Sequence, residues 1–268
     1  MFREGAEMRG ILIALTCFAY VVVLLPILIV VVTAFSASEF FAFPPKGLSL
    51  RWFEAFFASE SMRGAFIRSL QIATISSMVA TILGTMASMA IARRKGTLFN
   101  LVQGLFLAPL IFPAIVLGLS LLIFYKSIGG VPDFLGLVIA HCVLGLPFVV
   151  RSVTSSLLAV DPVLEEAGQS LKASPIAVFI FIITPLIWPG MLAGEIFAFI
   201  LSLGELNTAL FLTGPGVTTL PIEIFSYLQF QGGQLVIAAA SAIQIFMIIA
   251  IVLIAERLIG LKRIVRSG

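Results

Sequence analysis

Long apolar stretches dominate this chain and leave few positions for charged residues. Of its 268 residues, 60% are hydrophobic and only 11% are charged, whereas charged residues make up about a quarter of an ordinary soluble domain. A membrane-spanning helix needs about 20 consecutive apolar residues, so the length leaves room for about six spans joined by short connections. The sequence therefore predicts an all-α, polytopic membrane protein with a single transmembrane domain over residues 1–268.

We place six transmembrane helices by hydrophobicity and by the polar residues between them. Their approximate ranges are 11–35, 65–92, 98–125, 134–157, 176–203 and 235–255. The first span is too long for the core of a signal peptide, and we predict that it is retained. A short amphipathic helix is predicted at 50–57, with Trp52 near the membrane interface.

Two of the predicted spans carry features that bear on helix packing. Ala80, Gly84 and Ser88 recur every four residues in the second span, a spacing that lets helices approach closely in lipid. Pro185 and Pro189 lie in the fifth span, where each removes a backbone hydrogen bond. We expect them to kink or loosen that helix.

The basic residues at the ends of the spans predict the orientation of the chain. With a cytoplasmic N-terminus, eleven Lys and Arg residues fall on the cytoplasmic side and five on the other, in agreement with the positive-inside rule. The eleven are Arg3, Arg9, Arg93, Arg94, Lys95, Arg151, Lys172, Arg257, Lys262, Arg263 and Arg266. Both termini and the connection 161–172 are therefore predicted to be cytoplasmic.

The connection 161–172 is polar and contains its own helix start. Asp161 precedes Pro162, a pair typical of the first positions of a helix, and we predict a helix of about three turns. Its apolar stripe comprises Leu164, Ala167, Gly168 and Leu171. A short helix with such a stripe suits docking in a groove of a partner protein. The alternative is a surface turn that only links two spans.

The same segment resembles a known family motif. Glu166, Ala167 and Gly168, followed at the family spacing by Ile182, Thr184 and Pro185, are similar to the EAA motif of permease subunits of binding-protein-dependent ABC importers. The sequence departs from this motif at Gly168 for alanine, at Lys172 for glycine and at Thr184 for leucine. A glycine at the Lys172 position would end the helix in a left-handed turn, which costs another residue about 1–2 kcal/mol.

The resemblance implies a fold, a location and partners for the chain. It implies the type I importer permease fold (MetI-like) with six transmembrane helices, in the inner membrane of a bacterial cell. Segments 197–202, 210–215 and 220–227 resemble the polyamine (spermidine/putrescine) branch, in which 220–230 would form an extracytoplasmic helix. The implied partners are a cytoplasmic ATP-binding subunit dimer, a second permease subunit in a heterodimer, an extracytoplasmic solute-binding protein and membrane lipid. The coupling role falls on Asp161, Leu164, Glu165, Glu166, Ala167, Gly168 and Leu171.

Four polar residues are candidates for the solute pathway. Glu195 lies within the fifth span, where a carboxylate is costly and usually faces the interior of a helix bundle or water. Ser202, Glu205 and Asn207 lie near the end of that span and resemble an acidic and polar site of the polyamine branch. A cationic solute would suit these carboxylates. The alternatives are a protonated or paired Glu195 at a helix contact and an exposed loop carboxylate at Glu205.

Several other functions find no support in the sequence. The chain has no phosphate-binding loop motif, so we predict no enzyme activity and no cofactor of its own, with ATP and Mg²⁺ bound by the partner ATPase. A single histidine, His141, and two cysteines, which we interpret as small core residues, predict no metal site. Nucleic acid is not an expected partner. The competing hypothesis is a self-sufficient secondary transporter or channel in which Glu195 relays protons or ions.

Overall fold

The computed structural model describes residues 2–94, 96–230 and 235–259. In that part of the chain the backbone is mostly helical and forms no β-strand. Its α-helices are α1 (Phe2–Ala34), α2 (Arg51–Ala58), α3 (Glu60–Ile91), α4 (Thr97–Leu107), α5 (Ala114–Ser127), α6 (Asp133–Leu158), α7 (Val163–Ser170), α8 (Pro175–Val178), α9 (Thr184–Gly204), α10 (Ala209–Leu212), α11 (Leu220–Phe230) and α12 (Val236–Ile259).

Five of these helical segments are long and apolar enough to cross a membrane, and a bent pair can supply a sixth span. The five are Ile11–Ala34, Glu60–Ile91, Asp133–Leu158, Pro175–Gly204 and Val236–Arg257. These helices confirm the prediction of an all-α polytopic chain.

The third predicted span, 98–125, corresponds to a bent pair of helices. Thr97–Leu110 and Ala114–Ser127 are bent by 102° at the break between them. Pro113 lies at this break with ψ of 131°, an extended conformation that ends one helix and precedes the next. Because proline also lacks a backbone N–H, the helical hydrogen bonds cannot continue through this position.

The single transmembrane domain over 1–268 remains a prediction; by their internal contacts, the described residues divide into two compact units. One comprises Met1–Arg63 and Ile224–Met247, and the other comprises Gly64–Glu223 and Ile248–Gly268. In the first unit, Ala34 packs with three alanines of α12 and with the aromatic rings of Trp52 and Phe53. The guanidinium of Arg51 stacks over the Trp52 ring at 4.4 Å, and both side chains donate hydrogen bonds to the carbonyl of Ser38.

The second unit is built around α6. On one side, the Ser88 hydroxyl of α3 donates to the Val150 carbonyl of α6 over 3.1 Å. A Cβ atom on Gly84 would lie 2.7 Å from a Val149 methyl group. The small-residue stripe of α3 is therefore a helix-packing surface, as predicted.

Some sequence predictions fall outside the described part of the chain or are wrong. Of the basic residues used for orientation, the Arg3 side chain, Lys95, Lys262, Arg263 and Arg266 lie outside it. Cys142 is buried, as expected of a small core residue, but Cys17 is exposed on α1. That prediction was wrong for Cys17 because α1 contributes only its last turns to the core of its unit.

Candidate functional site

Helix α7 lies in the connection between α6 and α9, and Asp161 caps its N-terminus. The Asp161 carboxylate accepts a hydrogen bond from the Val163 amide over 2.9 Å. Its carbonyl accepts from the Leu164 amide over 3.1 Å. The helix begins at Val163, one residue later than predicted, a difference within the usual uncertainty of helix ends. Glu165 and Glu166 occupy the first turn, where the helix dipole favours carboxylates.

The C-terminus of α7 ends in a left-handed turn at Lys172. Its φ angle is 59°, and it is the non-glycine residue with positive φ within the described residues. The Lys172 amide donates to Gln169, and the Ala173 amide donates to Gly168. This pair of hydrogen bonds is the Schellman arrangement, in which glycine usually occupies the left-handed position. Lysine thus adopts the backbone conformation that the motif requires, with the strain that this implies.

The predicted apolar stripe of α7 is divided between two surfaces. Gly168 is buried, and a Cβ atom there would lie 2.7 Å from Ile182 Cδ1 and 3.1 Å from Val178 Cγ2. Leu164 and Leu171 are instead exposed, Leu171 to 84%. Gly168 therefore packs against the protein's own chain, and its coupling role remains a prediction. Helical spacing shows which residues are neighbours on a helix but not which other segment covers them.

An arginine that the sequence analysis assigned only to orientation binds α7. Arg93, two residues after the end of α3, forms an ion pair with Glu165 through Nη1. Its Nη2 atom donates to the carbonyls of Leu157 and Val160 over 3.2 and 3.0 Å. Arg93 and Glu165 are 72 positions apart, so no local pattern in the sequence pairs them.

The start of the fifth span combines a helix cap with a loosened turn. The Ser174 hydroxyl accepts a hydrogen bond from the Ala177 amide, and Pro175 takes the first helical position. Phe179–Ile183 then forms a π-helical turn, directly before Pro185. The loosening predicted for this span is confirmed at that turn, whereas Pro189 is accommodated inside α9.

Helix α9 packs against α6 through small residues. A Cβ atom on Gly190 would clash with Ser156, and one on Gly194 would lie 2.8 Å from the backbone of Val149. Glu195 follows directly and is half-buried. Its carboxylate forms no hydrogen bond or ion pair among the residues that the structure describes. The structure thus leaves this carboxylate available for another partner.

Ser202 belongs to a buried polar cluster that the sequence analysis did not identify. Its hydroxyl lies 2.6 Å from His141 Nδ1 on α6, and Ser76 on α3 donates to it over 3.4 Å. The Nε2 atom of His141 is buried and has no partner in the described part of the chain. A histidine within an apolar span was the available signal, but its partners come from helices that are distant in sequence.

Glu205 and Asn207 occupy different environments in the turn after α9. Glu205 is buried, and its carboxylate accepts a hydrogen bond from the Thr208 amide over 2.8 Å. The alternative of an exposed loop carboxylate is therefore wrong. Asn207 is exposed. The four candidate pathway residues accordingly do not form one cluster: Ser202 and Glu205 are engaged with other parts of the chain, and Glu195 and Asn207 are more accessible.

The described residues contain no group of three or more His, Cys, Asp or Glu side chains that could hold a metal ion. Cys17 and Cys142 are both free thiols.

Comparison with known proteins places this architecture in a family. Residues 80–261 match the model of the inner membrane component of binding-protein-dependent transport systems. The chain belongs to this family. Members are the transmembrane permease subunits of ABC importers, which work with a binding protein and with a separate ATPase subunit. The predictions of a permease subunit and of a chain that is not itself an enzyme are thus confirmed, as is location in an inner membrane.

The permease is similar to several characterised relatives over most of its length. It is 30% identical to the spermidine/putrescine transport system permease protein PotC of Shigella flexneri, over 97% of this chain and 96% of PotC. It is 34% identical to the putrescine transport system permease protein PotI of Escherichia coli K12, over 75% of this chain and 74% of PotI. It is also 29% identical to the molybdenum transport system permease protein ModB of Mycobacterium bovis, over 72% of this chain and 80% of ModB.

Solved structures support the fold. A bacterial ABC transporter involved in the import of the acidic polysaccharide alginate matches 96% of this permease and 97% of its own chain, with a TM-score of 0.71 and 16% identity. An inward-facing MetNI methionine ABC transporter matches 75% of this permease with a TM-score of 0.57 and 18% identity. The predicted MetI-like permease fold is confirmed.

Proposed function

We propose that this permease moves a small cationic solute of the polyamine class, such as putrescine or spermidine, into the cell. The similarity to PotC over 97% of the chain carries the proposal, and the similarity to PotI supports it. The half-buried carboxylate of Glu195 is also suited to a cation, because charges attract more strongly where water is partly excluded. A binding protein outside the membrane delivers the solute, and a second, different permease completes the pathway.

We further propose that α7 is the coupling helix on which the ATPase acts. Its exposed side chains include Leu164, Glu166 and Ala167, and Leu171 directly after the helix is also exposed. These offer apolar contacts and a carboxylate in the first turn, while Gly168 packs the helix against its own chain. Asp161 fixes the start of the helix, and Glu165 is held by Arg93. In this arrangement α7 and both chain termini are cytoplasmic, and ATP and Mg²⁺ are bound by the ATPase dimer.

Uptake by the complete transporter tests the proposed solute. The permease, its ATPase, its partner permease and its binding protein are reconstituted in liposomes, and uptake of radiolabelled putrescine is measured. We expect uptake that requires both ATP and the binding protein and that unlabelled spermidine inhibits. The control complex carries an ATPase with its phosphate-loop lysine replaced by alanine.

Two results would count against the proposal. ATP-dependent uptake of labelled molybdate, with no uptake of putrescine, would assign the permease to the solute named for the ModB relative. Uptake by the purified chain alone, without ATP, would favour a secondary transporter in which Glu195 relays ions.

A further inference from the structure

Arg93 joins three helices at one end of the second unit. It follows α3, it donates two hydrogen bonds to the end of α6, and it forms an ion pair with the first turn of α7. The acceptors are the carbonyl of Leu157, in the last turn of α6, and the carbonyl of Val160, two residues after the helix. The Leu157 carbonyl also accepts from the Val160 amide over 3.2 Å, so Arg93 adds a second donor there, at a helix end where the carbonyls have no further helical turn to pair with.

The form of the arginine side chain matters for this contact. A guanidinium is planar and carries several N–H donors in a fixed fork, so one nitrogen can serve α6 while another serves Glu165. The Arg93 and Glu165 side chains are only 30% and 32% exposed, which reduces competition from water. Lysine has one nitrogen at the end of a flexible chain and cannot hold both acceptors in the same geometry.

Open space lies beside α7 where it follows α6. A cavity of about 430 Å³ is lined by Ser156, Ala159, Val160, Asp161, Leu164 and Leu186. On a different face, Gly168 packs closely against Val178 and Ile182. Helix α7 is thus held by close packing at Gly168 and by an ion pair at Glu165, with open space at Asp161 and Leu164.

We propose that Arg93 is a positioning residue that couples α7 to α3 and α6. Force applied to α7 reaches α8 and the π-helical turn Phe179–Ile183 through Gly168, and it reaches α3 and the end of α6 through Arg93. Without Arg93, α7 still docks on the ATPase and still moves α8 and the π-helical turn, but α3 and α6 no longer follow. This inference rests on the proposed coupling role of α7 and does not depend on which solute is carried.

ATP hydrolysis by the complete transporter in nanodiscs tests this role. The rate of hydrolysis is measured with and without the binding protein, which is used as purified from cells. The complexes compared contain the unsubstituted permease (the parent) or its Arg93→Ala, Arg93→Lys or Glu165→Gln variant. We expect Arg93→Ala to lower the stimulation by binding protein by roughly tenfold, within the usual range for coupling between two sites. Basal hydrolysis and assembly of the complex should be unchanged. Arg93→Lys and Glu165→Gln should each lose part of the stimulation.

Arg94 provides a matched control. It is the next residue, and its guanidinium lies 5.4 Å from the Phe99 ring centre without serving α6 or α7 in the described contacts. We expect Arg94→Ala to keep the parental stimulation. The proposal would be overturned if the binding protein stimulated ATP hydrolysis equally in the unsubstituted permease, Arg93→Ala and Glu165→Gln. It would also be overturned if Arg94→Ala lost as much stimulation as Arg93→Ala.

Two further results separate this proposal from others. If Arg93→Ala does not assemble, Glu165→Gln decides, because it retains the α6 contacts of Arg93 and changes only the contact with α7. The doubly substituted Arg93→Glu/Glu165→Arg chain restores the ion pair with its charges exchanged. A carboxylate at position 93 cannot donate hydrogen bonds to the carbonyls of Leu157 and Val160. We therefore expect stimulation by the binding protein to be higher than in either single charge reversal but lower than in the unsubstituted permease. Absence of putrescine uptake in a parent complex that still shows stimulation would reject only the proposed solute.

Discussion

The Nδ1 atom of His141 lies 2.6 Å from the hydroxyl oxygen of Ser202, so that α6 and α9 share a hydrogen bond inside the bundle. Ser76 of α3 joins this pair through a longer contact of 3.4 Å. Three helices of the second unit therefore meet at one small polar cluster. Ser202 lies on α9, which also carries Glu195 seven residues earlier, or about two helical turns away.

Replacing His141 should destabilise this unit more than replacing Ser76. His141→Ala removes a short interhelical hydrogen bond and leaves a cavity, and we expect a loss of about 1–3 kcal/mol in the free energy of unfolding. Ser76→Ala, the control, removes only the longer contact. Thermal unfolding of the purified permease in detergent measures both. Equal unfolding midpoints for the parent and His141→Ala would show that the pair contributes nothing to stability.

Replacing Lys172 with glycine should stabilise the end of α7. Lysine at a φ of 59° carries strain that glycine avoids, and we expect a gain of about 1 kcal/mol at this turn. Hydrogen exchange of the Ala173 amide, which donates to Gly168, should become slower by about fivefold. Lys172→Ala keeps a Cβ atom and should show no such slowing. Faster exchange in Lys172→Gly would contradict this account of the turn.

Adding a methyl group at Gly168 should displace α7, and shortening its neighbour should restore it. A Cβ atom at this position lies 2.7 Å from Ile182 Cδ1, and overpacking of this kind costs about 1–3 kcal/mol. We expect Gly168→Ala to reduce ATP-driven uptake. The Gly168→Ala/Ile182→Val chain lacks the clashing Cδ1 atom and should recover most of it. If the double variant is present in the membrane in normal amounts but does not recover ATP-driven uptake, the clash with Ile182 Cδ1 is not the cause of the loss in Gly168→Ala.

Substitutions of Glu195 and Glu205 should differ in their effect on the KM for the solute. Glu195→Gln removes a carboxylate that has no described partner, and we expect KM for putrescine to rise by roughly fivefold, corresponding to about 1 kcal/mol of lost attraction. Glu205→Gln is the matched control, because the amide oxygen can still accept from the Thr208 amide. Uptake kinetics as a function of putrescine concentration measure both. If Glu195→Gln has the same KM for putrescine as the unsubstituted permease, Glu195 serves in helix packing and not in solute binding.

Local chemistry predicted much of this fold. Asp161 caps a helix, as expected of this residue before proline. The spacing of small residues around Gly84 correctly indicated a helix contact. These features could be predicted because each depends on neighbours within a few positions or on a repeat along one helix.

Contacts between distant segments could not be predicted in the same way. The pairs Arg93–Glu165 and His141–Ser202 join residues more than 60 positions apart, and nothing local distinguishes them from other polar residues near span ends. The break before Pro113 was also missed, because a proline within a span can be accommodated, as at Pro189 in α9, or can end a helix. Tertiary packing decides between these outcomes.

Contact between α7 and the ATPase is the central claim, and site-specific photo-crosslinking tests it most directly. A photoreactive phenylalanine analogue replaces Leu171, which is 84% exposed directly after α7, or Leu48, which is 80% exposed between α1 and α2. In the assembled, transport-competent complex we predict a crosslink to the ATPase subunit from position 171 and none from position 48. A complex that transports its solute but gives no ATPase crosslink from position 171 would contradict the account.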